Sequence, residues 1–360
     1  MDFSFAGDHD TDRFAWFAEG LKATMESHGH SFVPDPDTAE LVVNFFPESR
    51  PRAYRRKGQA VFVTGVSELS PPFEEPIPQG YPYLVRSLSN LFIGLVPSDA
   101  DAPDVHFLTL EQGHYVVEGN HDRSAYFDRV YRRIEPLATS SLVINNTFDP
   151  DLPEELWDGD ELTEQIYRAG RKLDALNLLP APFPIEEILS ERELKHVKKL
   201  YGIGGLSYGN ISARKDDTRF WMSASGVDKS DLREVGRDIL LVKDYDPGRR
   251  AMVLSVPPDI EPRRVSVDAI EHWMIYREHP EVGAILHVHA WMDGVPSTDF
   301  NYPCGTYELG EAVAEIVRQS PDPARAVVGL RNHGLTITGT SLDEIFERIE
   351  GKLQQGVPMS

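Results

Sequence analysis

The sequence predicts an α/β protein of two domains, and three observations carry that prediction. At 360 residues the chain is longer than one core usually fills. Short apolar runs bounded by Pro and Gly alternate with stretches of helical period. An acidic stretch with two prolines lies near the middle, where a domain boundary would fall. With 41% hydrophobic and 26% charged residues, the composition suits a packed globular core rather than a disordered chain.

In the N-terminal half, Phe14, Phe17, Ala18, Leu21 and Met25 recur at helical spacing and predict a helix over 13–28. Residues 41–46 and 60–66 are nearly unbroken apolar runs and read as short buried strands. A helix over 83–91, a strand over 92–96 and a hairpin over 105–117, turning at Gln112 and Gly113, follow. A helix over 124–137 then leads into a strand at 141–145. Together these make an α/β domain over 1–150. It contains no glycine-rich phosphate loop and no nucleophile elbow, and His106, His114 and His121 are scattered. Its role is not legible. Residues 151–161 read as an acidic linker, and a second domain spans 162–360. That domain opens with a helix over 162–176, a Pro-rich break at 180–184 and a helix over 191–201.

Charge narrows the partners. There are 36 basic and 58 acidic residues, a net charge of −22, so nucleic acid and anionic membrane are repelled unless basic groups cluster. The densest basic group, Arg52, Arg55, Arg56 and Lys57, lies between two apolar runs and reads as a solvated loop. Cys304 is the one cysteine, which excludes an intramolecular disulfide and a Cys-rich zinc site. No signal-peptide pattern opens the sequence, and no run approaches the roughly 18 apolar residues that span a bilayer. A cytoplasmic protein with a small-molecule ligand is the expectation.

The chemistry concentrates near the C-terminal end. His287 and His289 alternate on the strand-like run 283–290, so both point to one face. Two imidazoles there suit a tetrahedral metal once a third ligand arrives, though paired histidines on a strand are often structural. His333 offers the third, at the end of a second predicted strand, and Gly334 beside it permits close backbone approach. Three histidines with an open fourth position match a catalytic zinc rather than a closed structural one.

Five separated motifs then stand in the order found in one family. They are Asn210 within Gly-Asn-Ile-Ser, Ser225-Gly226, Ser266, the His-x-His strand and the Asn-His-Gly turn at His333. Over residues 160–350 the chain resembles the class II aldolase/adducin family. The resemblance implies a C-terminal α/β/α sandwich of class II aldolase type preceded by the separate α/β domain. It implies Zn²⁺ on His287, His289 and His333, a substrate phosphate on Asn210, Ser225, Gly226 and Ser266, and a homo-oligomer, commonly a tetramer. Helix capping by Ser266 and a plain turn at Ser225-Gly226 are the ordinary alternatives.

The chain departs from the family's pattern in three places. Asp268 stands where family aldolases carry a catalytic glutamate, as in the epimerase branch; a dipole-complementing role in the first helical turn is its structural alternative. The segment after Ala290 is short where the family places a further helix and strand. The extension that carries a catalytic tyrosine is missing, with Tyr302 and Tyr307 as substitutes by sequence proximity alone. The expected function is a zinc-dependent lyase using enediolate chemistry on a phosphorylated sugar or related hydroxycarbonyl compound, with Asp268 moving the proton. Epimerase, dehydratase, decarboxylase and a non-catalytic adducin-like scaffold are the alternatives.

Overall fold

The computed structural model describes the chain apart from residues 9, 55–61, 111, 112, 121, 180–184, 196–207 and 360. Arg55, Arg56, Lys57, Gln112, His121, the Pro-rich break and most of the 191–201 helix therefore lie outside the described residues. The chain divides into two compact units. One comprises residues 1–140, 187–193 and 359–360, and the other 141–186 and 194–358. Among the described residues no helix is long and apolar enough to cross a membrane.

The first unit is a seven-stranded sheet in the order β2-β1-β3-β4-β5-β6-β7. Its parallel part comprises β1 (Asp2–Gly7), β2 (Ser31–Phe32), β3 (Leu41–Phe45), β4 (Phe62–Glu68) and β5 (Leu91–Val96). The hairpin β6 (Asp104–Thr109) and β7 (His114–Val117) adds to it antiparallel. Every residue of β3 and β5 is buried, as expected for parallel strands covered on both faces. Strand β1 was not expected from sequence: its residues alternate apolar and polar, yet it pairs on both edges.

Three helices belong to this unit: α1 (Asp12–Ser27), α2 (Pro76–Ser87) and α3 (Arg123–Ala138). Helix α1 lays Trp16 and Phe17 against Phe127 of α3, with ring centroids 5.0 and 5.8 Å apart. Helix α2 starts and ends earlier than the predicted 83–91. Prolines suit a first turn, where the missing N–H leaves no bond unmade, and Leu88 ends the helix in the left-handed conformation.

The second unit is built on an eight-stranded sheet in the order β15-β16-β13-β9-β10-β11-β12-β8. The strands are β8 (Asn145–Asp149), β9 (Asn210–Arg214), β10 (Phe220–Ser223), β11 (Ile239–Asp246), β12 (Ala251–Ser255), β13 (Ala284–Val288), β15 (Val327–Leu330) and β16 (Gly334–Gly339). All neighbours are antiparallel except β12 and β8. A separate pair joins β14 (Ala290–Trp291) to β17 (Gln354–Gln355). The helices are α4 (Glu161–Ala175), α5 (Ala269–Glu278), α6 (Tyr307–Gln319) and α7 (Leu342–Ile349). Thr336 of β16 bonds Glu271 of α5, whereas Gly339, of opposite parity on the same strand, faces Ile345 of α7. Helices thus cover both faces, which is the expected α/β/α sandwich. Helix α6, which was not expected from sequence, and strand β15, which falls on the second predicted strand, occupy the stretch after Ala290.

Two boundary expectations are corrected. Residues 141–145 are not a strand of the first unit; the strand is β8, and it pairs with β12 in the second. Residues 151–161 are not a free linker. Leu152 and Leu156 are buried in the second core, and Trp157 Nε1–H donates to the Leu152 carbonyl at 2.8 Å. Asp160 caps α4 through the amides of Leu162 and Thr163, at 2.9 and 3.1 Å. It also accepts from Lys215 Nζ at 2.8 Å and Trp221 Nε1 at 3.0 Å. Acidic composition suggested a solvated tether, but here the carboxylate caps a helix and pairs with a lysine.

Hydrogen exchange checks this placement. Amides of β8 that bond to β12 should exchange with the slow set of the second core. Fast exchange throughout 145–160, with first proteolytic cleavage there, would restore the linker reading.

Candidate metal centre and active site

Strand β13 lies between β9 and β16, and its register sets His287 opposite Asn210 on one side and Thr336 on the other. The His287 ring donates Nδ1–H to the Leu335 carbonyl at 3.0 Å, which fixes its tautomer and leaves Nε2 buried without a partner among the described residues. His289 sits one residue beyond the end of β13, half-buried, its ring centroid 5.1 Å from that of His287. His333 does not end a strand as predicted. It closes the turn between β15 and β16, where His333 N–H bonds Leu330 O at 3.0 Å and Asn332 takes φ +58°.

Two glycines let these backbones approach. A Cβ on Gly334 would stand 2.3 Å from Val288 O, and one on Gly209 the same distance from His287 O. The ring nitrogens of His287, His289 and His333 consequently come within 4.8 Å of one another. Nε2 of His333 and Nε2 of His289 are 3.2 Å apart.

Burial is the first cause holding all three imidazoles below the usual histidine pKa, and mutual repulsion adds to it for His289 and His333. They are therefore neutral at pH 7, with lone pairs available to a cation. Buried, unpartnered Nε2 of His287 and a donor set of three neutral imidazoles fit a divalent metal of the zinc type.

Asp268 lies beside this cluster at the entrance to α5. It occupies the N-cap position of α5 but makes no capping bond. Its Oδ2 accepts from Asn210 Nδ2 at 2.7 Å, while Oδ1 is buried without a partner. Asn210 thus joins the carboxylate to the strand next to His287. Ser266 is buried and does not cap α5 either; its amide donates to Ser223 O and its carbonyl accepts from Ala269 N, both at 3.1 Å. Ser225 and Gly226 form the turn after β10, tied to the Ser266 loop by the Ala224–Val265 bridge and by Ser225 N–H to Arg264 O at 2.9 Å. Tyr307 packs instead against Tyr245, centroids 6.1 Å apart. Tyr302 lines a cavity of about 760 Å³ with Met292, Phe300 and Ile316.

Sequence reasoning missed four neighbours of the site. Lys229 is buried, and burial pushes its ammonium down to about 8 against the opposing pull of Asp268 and Asp228. Glu271 is 1% exposed; its Oε1 accepts from Thr336 Oγ1 at 2.5 Å and its Oε2 has no partner. His272 Nδ1 stands 2.7 Å from Ser212 Oγ, which is 2.8 Å from Tyr276 OH. Cys304 Sγ lies 3.5 Å from His333 Nε2. Only the pattern Glu271-His272, two polar residues within the largely apolar run 269–276, signalled any of this in the sequence.

Comparison with known proteins matches part of the chain to a family. Residues 194–292 match the model of the Class II Aldolase and Adducin N-terminal domain. The chain is similar to methylthioribulose-1-phosphate dehydratase of Klebsiella pneumoniae, 26% identical over 174 residues, 40% of this chain and 79% of that protein. The Cronobacter sakazakii protein of the same name is 27% identical over 176 residues, 40% and 82% of the two chains. Among solved structures, an L-fuculose 1-phosphate aldolase covers 53% of this chain and 81% of its own, at 17% identity and a TM-score of 0.36.

Glu271 generates a pH prediction for metal-stripped protein. Burial first, and the Asp268 charge second, push its carboxyl up to about 8. An acid raised in the fold stabilises fully below its unfolded pKa of about 4.3. That contribution is lost as pH rises through about 8. The melting temperature of wild type should therefore fall relative to Glu271→Gln between pH 5 and pH 8. Parallel curves would show that Glu271 titrates in the fold as it does in the unfolded chain.

Proposed function

We propose, from the match of residues 194–292 to the Class II Aldolase and Adducin N-terminal domain, a zinc-dependent lyase acting on a phosphorylated hydroxycarbonyl sugar. Dehydration is the outcome we favour, because the curated relatives are named methylthioribulose-1-phosphate dehydratase. The observation that carries the reading is the convergence of three neutral imidazoles, two buried and one half-buried, beside a carboxylate with one oxygen unpartnered among the described residues.

His287, His289 and His333 hold the zinc. When bound, zinc supplies a Lewis acid that polarises the substrate carbonyl and stabilises negative charge developing on its oxygens. Asp268 Oδ1 takes the proton from the carbon next to the carbonyl and returns one to the departing hydroxyl, which leaves as water. Asn210 holds the other carboxylate oxygen, so Oδ1 keeps its aim. Asn210, Ser225, Gly226 and Ser266 would contact the phosphate, and Lys229 adds a buried cation to that region. Burial keeps Lys229 within reach of deprotonation near pH 8, so phosphate affinity should weaken above that pH. A homo-tetramer is the assembly that the family resemblance implies.

Metal analysis is the first test. Purified wild type should carry close to one zinc per chain, and His287→Ala, His289→Ala or His333→Ala should lose it. A wild type that takes up no zinc would favour the scaffold reading. For chemistry, methylthioribulose 1-phosphate and related sugar phosphates would be assayed for dehydration, cleavage and epimerisation side by side. Asp268→Asn should lower turnover by about 10²–10⁴-fold with zinc retained. Unchanged turnover would assign the proton to another group.

A further inference from the structure

His289 differs from His287 in how its ring is held. His287 lies within β13 and is fixed through its Nδ1, whereas His289 lies one residue past that strand. The Nε2 of His289 stands 3.2 Å from His333 Nε2, which gives that nitrogen to the centre. Its Nδ1 is buried and has no partner among the described residues. A metal-binding imidazole ordinarily donates this second N–H to an acceptor, and that bond sets the orientation of the ring. For His289 some other contact must set it.

An aromatic ring stands in that place. Counting two residues on from the Asn210–His287 pair in the antiparallel register brings Tyr208 opposite His289. Their ring centroids are 5.1 Å apart with planes tilted by 58°, inside the range of a packed aromatic pair. The Tyr208 backbone is anchored, its N–H donating to Leu179 O at 2.7 Å. Gly209 allows the approach, because it takes φ +75° and keeps the backbone close against His287 O. Among the described residues, the other rings packed on His289 are those of His287 and His333, at 5.1 and 4.7 Å, both ligands themselves.

We propose that Tyr208 is the positioning residue for the ligand His289, its ring rather than its hydroxyl holding the imidazole with Nε2 turned to the metal. The proposal rests on the metal reading above and adds what orients this ligand. A ring already held in place loses less freedom when an ion binds, so the contact is expressed as metal affinity. Removing a support of this kind typically costs about 10–100-fold in that affinity.

A cobalt(II) titration tests it without turnover. Full-length protein is stripped with a chelator and titrated with cobalt(II) alone, whose visible bands report both occupancy and ligand geometry. Tyr208→Phe keeps the ring and should bind as wild type does, with the same spectrum. Tyr208→Leu keeps apolar bulk without the flat ring. It should bind about 10–100-fold more weakly with altered bands, while its metal-free melting temperature stays near that of Tyr208→Phe. Tyr208→Leu binding as tightly as wild type overturns the proposal. So does Tyr208→Phe weakened as far as Tyr208→Leu, which would give the role to the hydroxyl. A loss of affinity that tracks a loss of metal-free stability overturns it too, since Tyr208 would then act as ordinary core. In each of these cases the three-histidine site stands. A wild type that stays folded by circular dichroism but takes up no cobalt overturns the metal reading and this proposal together.

Discussion

The site depends on the position of β13 between β9 and β16. Two antiparallel ladders clamp this strand, and the hydrogen bond from His287 to the Leu335 carbonyl locks one imidazole in a single tautomer. From that fixed point the other groups follow. The register brings Asn210 alongside, Asn210 holds Asp268, and the turn after β15 returns His333 to the end of the strand. Were β13 to slip by one residue, its side chains would exchange faces and the cluster would dissolve.

Burial does most of the electrostatic work. The same desolvation keeps three imidazoles neutral, pushes Lys229 down and pushes Glu271 up. Several polar atoms around the centre have no partner among the described residues: Asn210 Oδ1, Asp268 Oδ1, Glu271 Oε2, His272 Nε2 and His287 Nε2. A buried polar atom without a partner is costly, so their concentration in one place argues for bound groups rather than for a packed core. In the first unit the His106 and His114 rings pair with each other, Nδ1 to Nε2 at 3.1 Å.

Local pattern was sufficient for most elements. Helical period located α1, α3 and α4 within a residue or two, because their apolar faces are continuous and their caps strong. Unbroken apolar runs located β3 and β5 for the same kind of reason. Pattern failed where it was weak or ambiguous. Strand β1 alternates like an exposed strand, α2 hides its start behind prolines, and the acidic stretch before α4 folds onto the core.

By itself the sequence determined the fold class, the excess of negative charge and the spacing that lets His287 and His289 share a face. It also supplied the order of motifs that resembles the class II aldolase/adducin family, whose domain model matches residues 194–292. Only the tertiary structure decided that β8 belongs to the second sheet, that Asp268 bonds Asn210 rather than capping its helix, and that Lys229, Glu271 and Cys304 stand around the histidines. The reason is physical. Periodicity is a property of neighbouring residues, whereas these contacts join segments dozens of residues apart, through sheet register and loop closure that no local pattern encodes.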